Sequence, residues 1–257
     1  MLGAVPLASD SNVQLRFLAP DDAPEVRRLC TDWFPIEYPD SWYHDITSNP
    51  RFFALAAMYG GRIIGLIVAE SKAQSQCNRE DAGLLAANFP PAAQVAYILT
   101  LGVVRECRRN GIATLLLDSL LAHLSQQQPQ SGGGTCKAVY LHVLASNTCA
   151  IQFYERRRFR PHAFLPLYYS VRGTPRDGYS YVLYINGGHP PWTLLYPLLA
   201  LMFRRHCPND RGMDQGHIYL LYMTSFKILN MLLIQSEYLR SAFELDLHVI
   251  NANIDSK

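Results

Sequence analysis

The 257-residue chain predicts an α/β (α+β) fold, a mixed and mostly antiparallel sheet with helices packed on its faces. Three observations predict it. Two apolar runs, 51–58 and 62–70, flank Tyr59-Gly60-Gly61, where glycines supply the positive φ angles that a tight hairpin requires. The run 94–104 is β-branched and aromatic, as a central strand is, and leads into 111–125, where Leu116, Leu117, Leu120 and Leu124 recur at helical spacing. Beyond these, 138–144 reads as a buried strand, 148–158 as a helix and 179–185 as a final aromatic strand.

The remaining elements follow in chain order. Residues 13–18 alternate and read as an opening strand, and 23–30 as a helix whose capping box is Asp22 with Glu25. Residues 32–40, DWFPIEYPD, carry two prolines among aromatics, which predicts an ordered loop. The stretch 71–91 is polar and irregular, and QQQPQSGGGT at 126–135 is a low-complexity linker. Gly187-Gly188-His189-Pro190-Pro191 ends regular structure. The expected organisation is a leader at 1–12, one catalytic-size domain at 13–189 and a tail at 190–257.

Composition excludes several classes. With 49% apolar and 17% charged residues the chain can bury one sizeable core plus an extension. Lys+Arg 23 against Asp+Glu 21 leaves a net charge of +2, so no global basic field points to nucleic acid. Six cysteines without a C-x-x-C pair or a His/Cys cluster argue against zinc and against a disulfide framework, and no metal is expected. They suit a reducing compartment. The apolar start lacks the basic region of a signal peptide.

The sharpest local signal joins the end of the central strand, Leu101-Gly102-Val103-Val104, to the helix that opens at Gly111-Ile112-Ala113-Thr114. Arg108, Gly111 and Ala113 make R-x-x-G-x-A. Small residues there let a diphosphate approach the backbone, free N–H groups at the helix start receive its charge, and Arg108 and Arg109 add cationic donors. Downstream, Leu141-His142-Val143-Leu144, Asn147 and AIQFYERRRF at 150–159 supply strand, N-x-x-A-x-x-F-Y and a basic helix end.

In that order the two motifs resemble the GNAT acetyltransferases, and the aromatic segments WFPIEYPDSWY (33–43), QVAYIL (94–99), YLHVL (140–144) and DGYSYVLYINGGHPPW (177–192) are similar to the NatF-type N-alpha-acetyltransferases within them. The resemblance covers roughly the first two hundred residues. It implies a GNAT fold, acetyl-CoA as co-substrate and protein N-termini as acceptors, with Met followed by Lys, Leu, Ile, Val, Phe or similar. It also implies that Tyr97 and His142 act as general bases. The acetyl-pantetheine arm falls to Leu101, Gly102 and Val103, the diphosphate to Arg108, Arg109, Asn110, Gly111, Ile112, Ala113 and Thr114. The rest of the cofactor falls to Asn147, Tyr154, Glu155, Arg156 and Arg157. Tyr154 is read either as the acid for the departing thiolate or as packing against the arm. For the peptide, the resemblance implies Phe34, Glu37 and Tyr38 in the first aromatic loop, Leu99, and Tyr168 and Tyr169 in a late loop.

The amine itself favours this chemistry. An α-amino group titrates near about 7.7–8.0 against about 10.4 for lysine, a difference of roughly 3.5 kcal/mol. A modest base serves it. Lysine acetylation, histones included, is the alternative on the same scaffold, and a non-catalytic acyl-CoA-binding membrane scaffold is the alternative of another class. In the tail, residues 192–203 are apolar but shorter than the ~20 that span a bilayer, and the apolar stretch from 218 onward carries a polar stripe of Thr224, Lys227, Asn230, Glu237, Ser241 and Glu244. Two outcomes fit: a helix lying on a membrane surface, by resemblance the cytosolic face of the Golgi, or a face packed on the catalytic domain or in a homodimer.

Overall fold

A computed structural model describes residues 13–34, 38–126 and 134–191. The expected leader 1–12, Glu37 with its neighbours Pro35 and Ile36, most of the low-complexity linker (127–133) and the tail from Trp192 lie outside the described residues. Among the described residues the strands are β1 (Gln14–Phe17), β2 (Phe52–Tyr59), β3 (Arg62–Ala73), β4 (Gln94–Val103), β5 (Ala138–Leu144), β6 (Arg160–Val171) and β7 (Thr174–Tyr184). The helices are α1 (Ala23–Trp33), α2 (Asp40–Ser48), α3 (Ile112–Gln126) and α4 (Thr148–Arg156).

The strands form one sheet in the order β1-β2-β3-β4-β5-β7-β6. Only β4 and β5 run parallel, and α3 makes the crossover such a pair requires. The mixed, mostly antiparallel sheet is therefore as expected. Side-chain alternation divides the core: Ile67 and Ala69 of β3 pack with Leu116, Leu117 and Leu120 of α3, while Leu66 and Val68 pack with Val26 and Leu29 of α1 and Ile46 of α2. Because β3 is covered on both faces, its sequence reads as a continuous apolar run.

Several local expectations need correction. Asp22 has helical backbone angles and no capping bond into α1. A 3-10 turn at Pro20–Asp22 precedes the helix, so the Asp22 carboxylate accepts the Ala19 N–H at 2.7 Å and Arg16 at 2.6 and 2.8 Å. The segment taken as a loop from Asp32 is helical through Trp33 and again from Asp40, where α2 turns Tyr43 and Ile46 into the core. Tyr168 and Tyr169 lie in strand β6, not in a loop. Pro161 and Pro166 argue against a strand there, yet β6 is the sheet edge, where a missing N–H is tolerated.

Two irregularities shape the site. Val68 pairs Thr100 and Ala69 pairs Ile98, so Leu99 is an extra residue in β4, a bulge. The β4–β5 register ends at Ile98 with Leu141, whereas β5 continues along β7 to Leu144. The two strands thus part beyond Ile98 and Leu141. Residues 99–103 are left with a strand neighbour on the β3 side alone.

Candidate active site

Where β4 and β5 part, four polar side chains meet. Tyr97 precedes the last paired residue of β4 and His142 follows that of β5, both on the face away from α3. The His142 Nε2 is 2.7 Å from Asp81 Oδ1, with the two side chains 2% and 1% exposed. Its Nδ1 lies 2.8 Å from the Tyr168 hydroxyl and 3.2 Å from that of Tyr97. A buried carboxylate acts as acceptor, so the neutral imidazole donates Nε2–H to Asp81 and keeps its lone pair on Nδ1. That places the basic nitrogen toward the two phenols.

Tyr97 stacks on buried Tyr140 with ring centroids 4.9 Å apart, and the Lys72 ammonium lies 5.4 Å from its ring centre. Burial pushes the Tyr97 phenol well above its ordinary value, and the nearby Tyr168, Tyr169 and Asp81 push it the same way. At neutral pH Tyr97 is accordingly a proton donor, not a phenolate. Burial likewise pushes Tyr168 up to about 12, helped by Glu80 and Asp81. Asp81 escaped sequence reasoning because it sits in the polar stretch after β3. The only hint was Leu84-Leu85-Ala86 nearby, whose burial pins that stretch against Val95, Ala138 and Tyr140.

The expected peptide wall is assembled in part. Phe34 caps α1 and packs edge-on against Trp33, Tyr38 stacks on Trp42 at 4.1 Å, and Leu99 packs in the same cluster. Burial pushes the Tyr38 hydroxyl up to about 12. The Tyr169 ring lies against Gly178, where a Cβ would come within 2.9 Å of it. Gly102 has a like reason: an added Cβ would fall inside the Trp33 indole, so β4 and α1 meet there only because the side chain is absent.

The loop from β4 to α3 has the form of an anion nest. Arg109 and Gly111 adopt φ of 65° and 79° just ahead of α3, whose first N–H groups, at Ile112, Ala113 and Thr114, have no acceptor within the helix. A Cβ at Gly111 would meet nothing of the protein within 4 Å. The glycine therefore serves the backbone angle first. Arg108 donates from Nε to the Val103 carbonyl at 3.0 Å, which ties the nest to the strand end and commits part of that guanidinium.

Several α4 candidates also have partners within the fold. Asn147 caps α4 by accepting the Ala150 N–H at 3.2 Å, Glu155 accepts the Tyr181 hydroxyl at 3.1 Å, and Arg157 pairs with Asp118 at 3.0 Å. Arg156 is exposed. Tyr154 is buried in the α3-side core between Phe153 and Phe159, and burial holds its phenol far above the ordinary value.

The sheet thus opens between parallel β4 and β5, with an anion nest after β4 and the buried Asp81–His142 pair at the point where the strands part. The chain belongs to the Acetyltransferase (GNAT) family, whose profile matches residues 23–159. It is similar to N-alpha-acetyltransferase 60 of Danio rerio, 56% identical over 76% of this chain and 78% of the relative, and of Xenopus tropicalis, 58% identical over 70% and 73%. Among solved structures it is similar to Arabidopsis thaliana NAA60 in complex with acetyl-CoA, with 29% identity and a TM-score of 0.60, covering 68% of this chain and 100% of the other. The same plant protein in complex with a bisubstrate analogue gives 29% identity and a TM-score of 0.60, covering 68% of this chain and 99% of the other.

Proposed function

We propose that this chain transfers acetyl from acetyl-CoA to the N-terminal α-amine of proteins that begin with Met followed by Lys, Leu, Ile, Val, Phe or similar, including transmembrane proteins with cytosolic N-termini. The observation that carries the proposal is the buried Asp81–His142 pair at the point where β4 and β5 part, with Nδ1 presented to Tyr97 and Tyr168. The family and the N-alpha-acetyltransferase 60 relatives support the same activity.

The residues present fit acetyl-CoA. The unpaired side of residues 99–103 suits the amide-bearing pantetheine arm, and the nest at 109–114 suits the diphosphate. When bound, the thioester supplies the activated acetyl group. The protein supplies the base: His142 accepts the amine's proton at Nδ1, Asp81 holds the imidazole in the tautomer that permits it, and the Tyr97 oxygen, 3.2 Å from the same nitrogen, stands as an acceptor for Nδ1–H once the ring is protonated. Trp33, Phe34, Tyr38 and Leu99 form an apolar cluster suited to a methionine side chain, and the edge-to-face pair Tyr168–Tyr169 is assigned to the same peptide. Glu37 is the carboxylate assigned to the charged amine.

Tyr97→Phe and His142→Ala test the assignment. Each should lower kcat at least tenfold while acetyl-CoA affinity by calorimetry stays within about twofold, since neither lines the nest. Near-native turnover in either variant makes that residue packing. For location, the amphipathic stripe of the tail and the family resemblance support the cytosolic face of the Golgi. A fluorescent fusion of residues 190–257 should label Golgi membranes, and a diffuse cytosolic signal would defeat that proposal.

A further inference from the structure

Acetylation at neutral pH leaves a proton to dispose of. An α-amine with a pKa near about 7.7–8.0 arrives at pH 7 mostly as ammonium. The products are a neutral amide and a neutral thiol, so each turnover liberates one proton. That proton is first taken at His142 Nδ1, and the imidazole side chain and its Asp81 partner are almost wholly buried.

The groups that face the ring come from four elements. Asp81 holds Nε2, Tyr97 and Tyr140 lie along one side, His162 stands near Asp81, and Tyr168 closes Nδ1. Tyr97 is enclosed between Tyr140 and Lys72. Tyr168 alone among these is exposed, at 38% of its surface, and it is also the nearer phenol, 2.8 Å against 3.2 Å. Its placement is built rather than incidental. Between the pairs Leu165–Gly178 and Tyr169–Arg176, β6 spends three residues against one of β7, and Leu167 adopts φ of 52° with its N–H donated to Asp177 Oδ1 at 2.8 Å. For a leucine such an angle costs about 1–2 kcal/mol. The bulge brings the Tyr168 hydroxyl to the imidazole.

We infer that Tyr168 is the proton exit of the active site, the residue through which His142 returns its proton to solvent after each turnover. This rests on the acetyltransferase function proposed above. The relay is balanced: an N–H bond of the ammonium breaks as Nδ1–H forms, Nδ1–H breaks as the proton joins the Tyr168 oxygen, and the phenol's original O–H proton passes to water. Imidazole and phenol end as they began. The phenol never becomes a free phenolate, in keeping with its raised pKa.

Tyr168→Phe in the full chain keeps the ring and removes the relay. With a saturating Met-starting peptide, single-turnover acetylation reports whatever Tyr168 contributes to placing the peptide, because the first proton needs only an empty His142. Steady-state turnover in dilute buffer should fall at least tenfold further than the single-turnover rate and recover as imidazole is added as a proton carrier. Three results would overturn the inference: an undiminished, buffer-independent steady state, a loss confined to peptide KM, or equal loss in single and multiple turnovers without rescue. If the native chain itself leaves α-amines unmodified, it is the proposed function that fails, and the native control shows which has failed.

Discussion

Replacing Asp81 with asparagine changes one atom beside the base and nothing in the cofactor gap. The carboxylate lies 2.7 Å from His142 Nε2, and both side chains are buried. A hydrogen bond to a charged partner contributes about 1.5–3 kcal/mol, against about 1 for a neutral pair. The amide therefore weakens the hold on the correct tautomer and on the developing imidazolium by about 1–2 kcal/mol, which at 1.36 kcal/mol per tenfold is a loss of roughly five- to thirtyfold in kcat/KM. If the amide nitrogen turns toward Nε2, the proton is driven to Nδ1 and the loss is larger. The assay is steady-state acetylation of a Met-Leu peptide, with acetyl-CoA affinity measured in parallel. A kcat/KM within twofold of native would refute the role assigned to Asp81.

Other outcomes follow from particular positions. Gly111→Val places a β-branched residue at φ of 79°, a strain of about 1–3 kcal/mol, in the nest. Acetyl-CoA affinity by calorimetry should fall at least tenfold with native circular dichroism, and unchanged affinity would remove the nest from the cofactor site. Gly102→Ala drives a methyl into the Trp33 indole and should cost about 1–3 kcal/mol in denaturant unfolding, and a variant as stable as native would contradict that packing. His162 is held below its ordinary value, chiefly by burial. The unfolded chain then binds more protons than the folded one below about pH 6.5, so its contribution is complete above that pH and is lost as pH falls toward the folded value. The melting temperature should drop on acidification from pH 7 to 5.5 less steeply in His162→Gln, and equal slopes would refute the assignment.

Much of this architecture was legible where local pattern and tertiary role agree. The strand expected at 138–144 is β5 with the same limits, the Gly60-Gly61 hairpin joins β2 to β3, and the leucines at 116, 117, 120 and 124 are the buried face of α3. It failed where tertiary context overrides local signals. Prolines at 161 and 166 disguised β6, which tolerates them as an edge, and the prolines at 39 and 50 disguised α2, whose Tyr43 and Ile46 find their core against α1, β2 and β3. Within the site, Tyr97 and His142 stand on recognisable strands, whereas Asp81 reaches His142 across 61 residues of chain, a pairing that no local pattern contains. Asn147, Glu155 and Arg157 each match a cofactor motif, and each also has a partner within the fold that no local pattern announces.

The central claim is that the gap between β4 and β5 delivers acetyl to an α-amine. The most direct measurement gives the purified chain acetyl-CoA and a peptide that begins Met-Leu and carries an internal lysine, and locates the acetyl group by mass spectrometry. Acetyl on the N-terminal amine at pH 7, abolished by blocking that amine in advance, is the predicted result. Acetyl confined to the internal lysine, equally on free and blocked peptides, would contradict it.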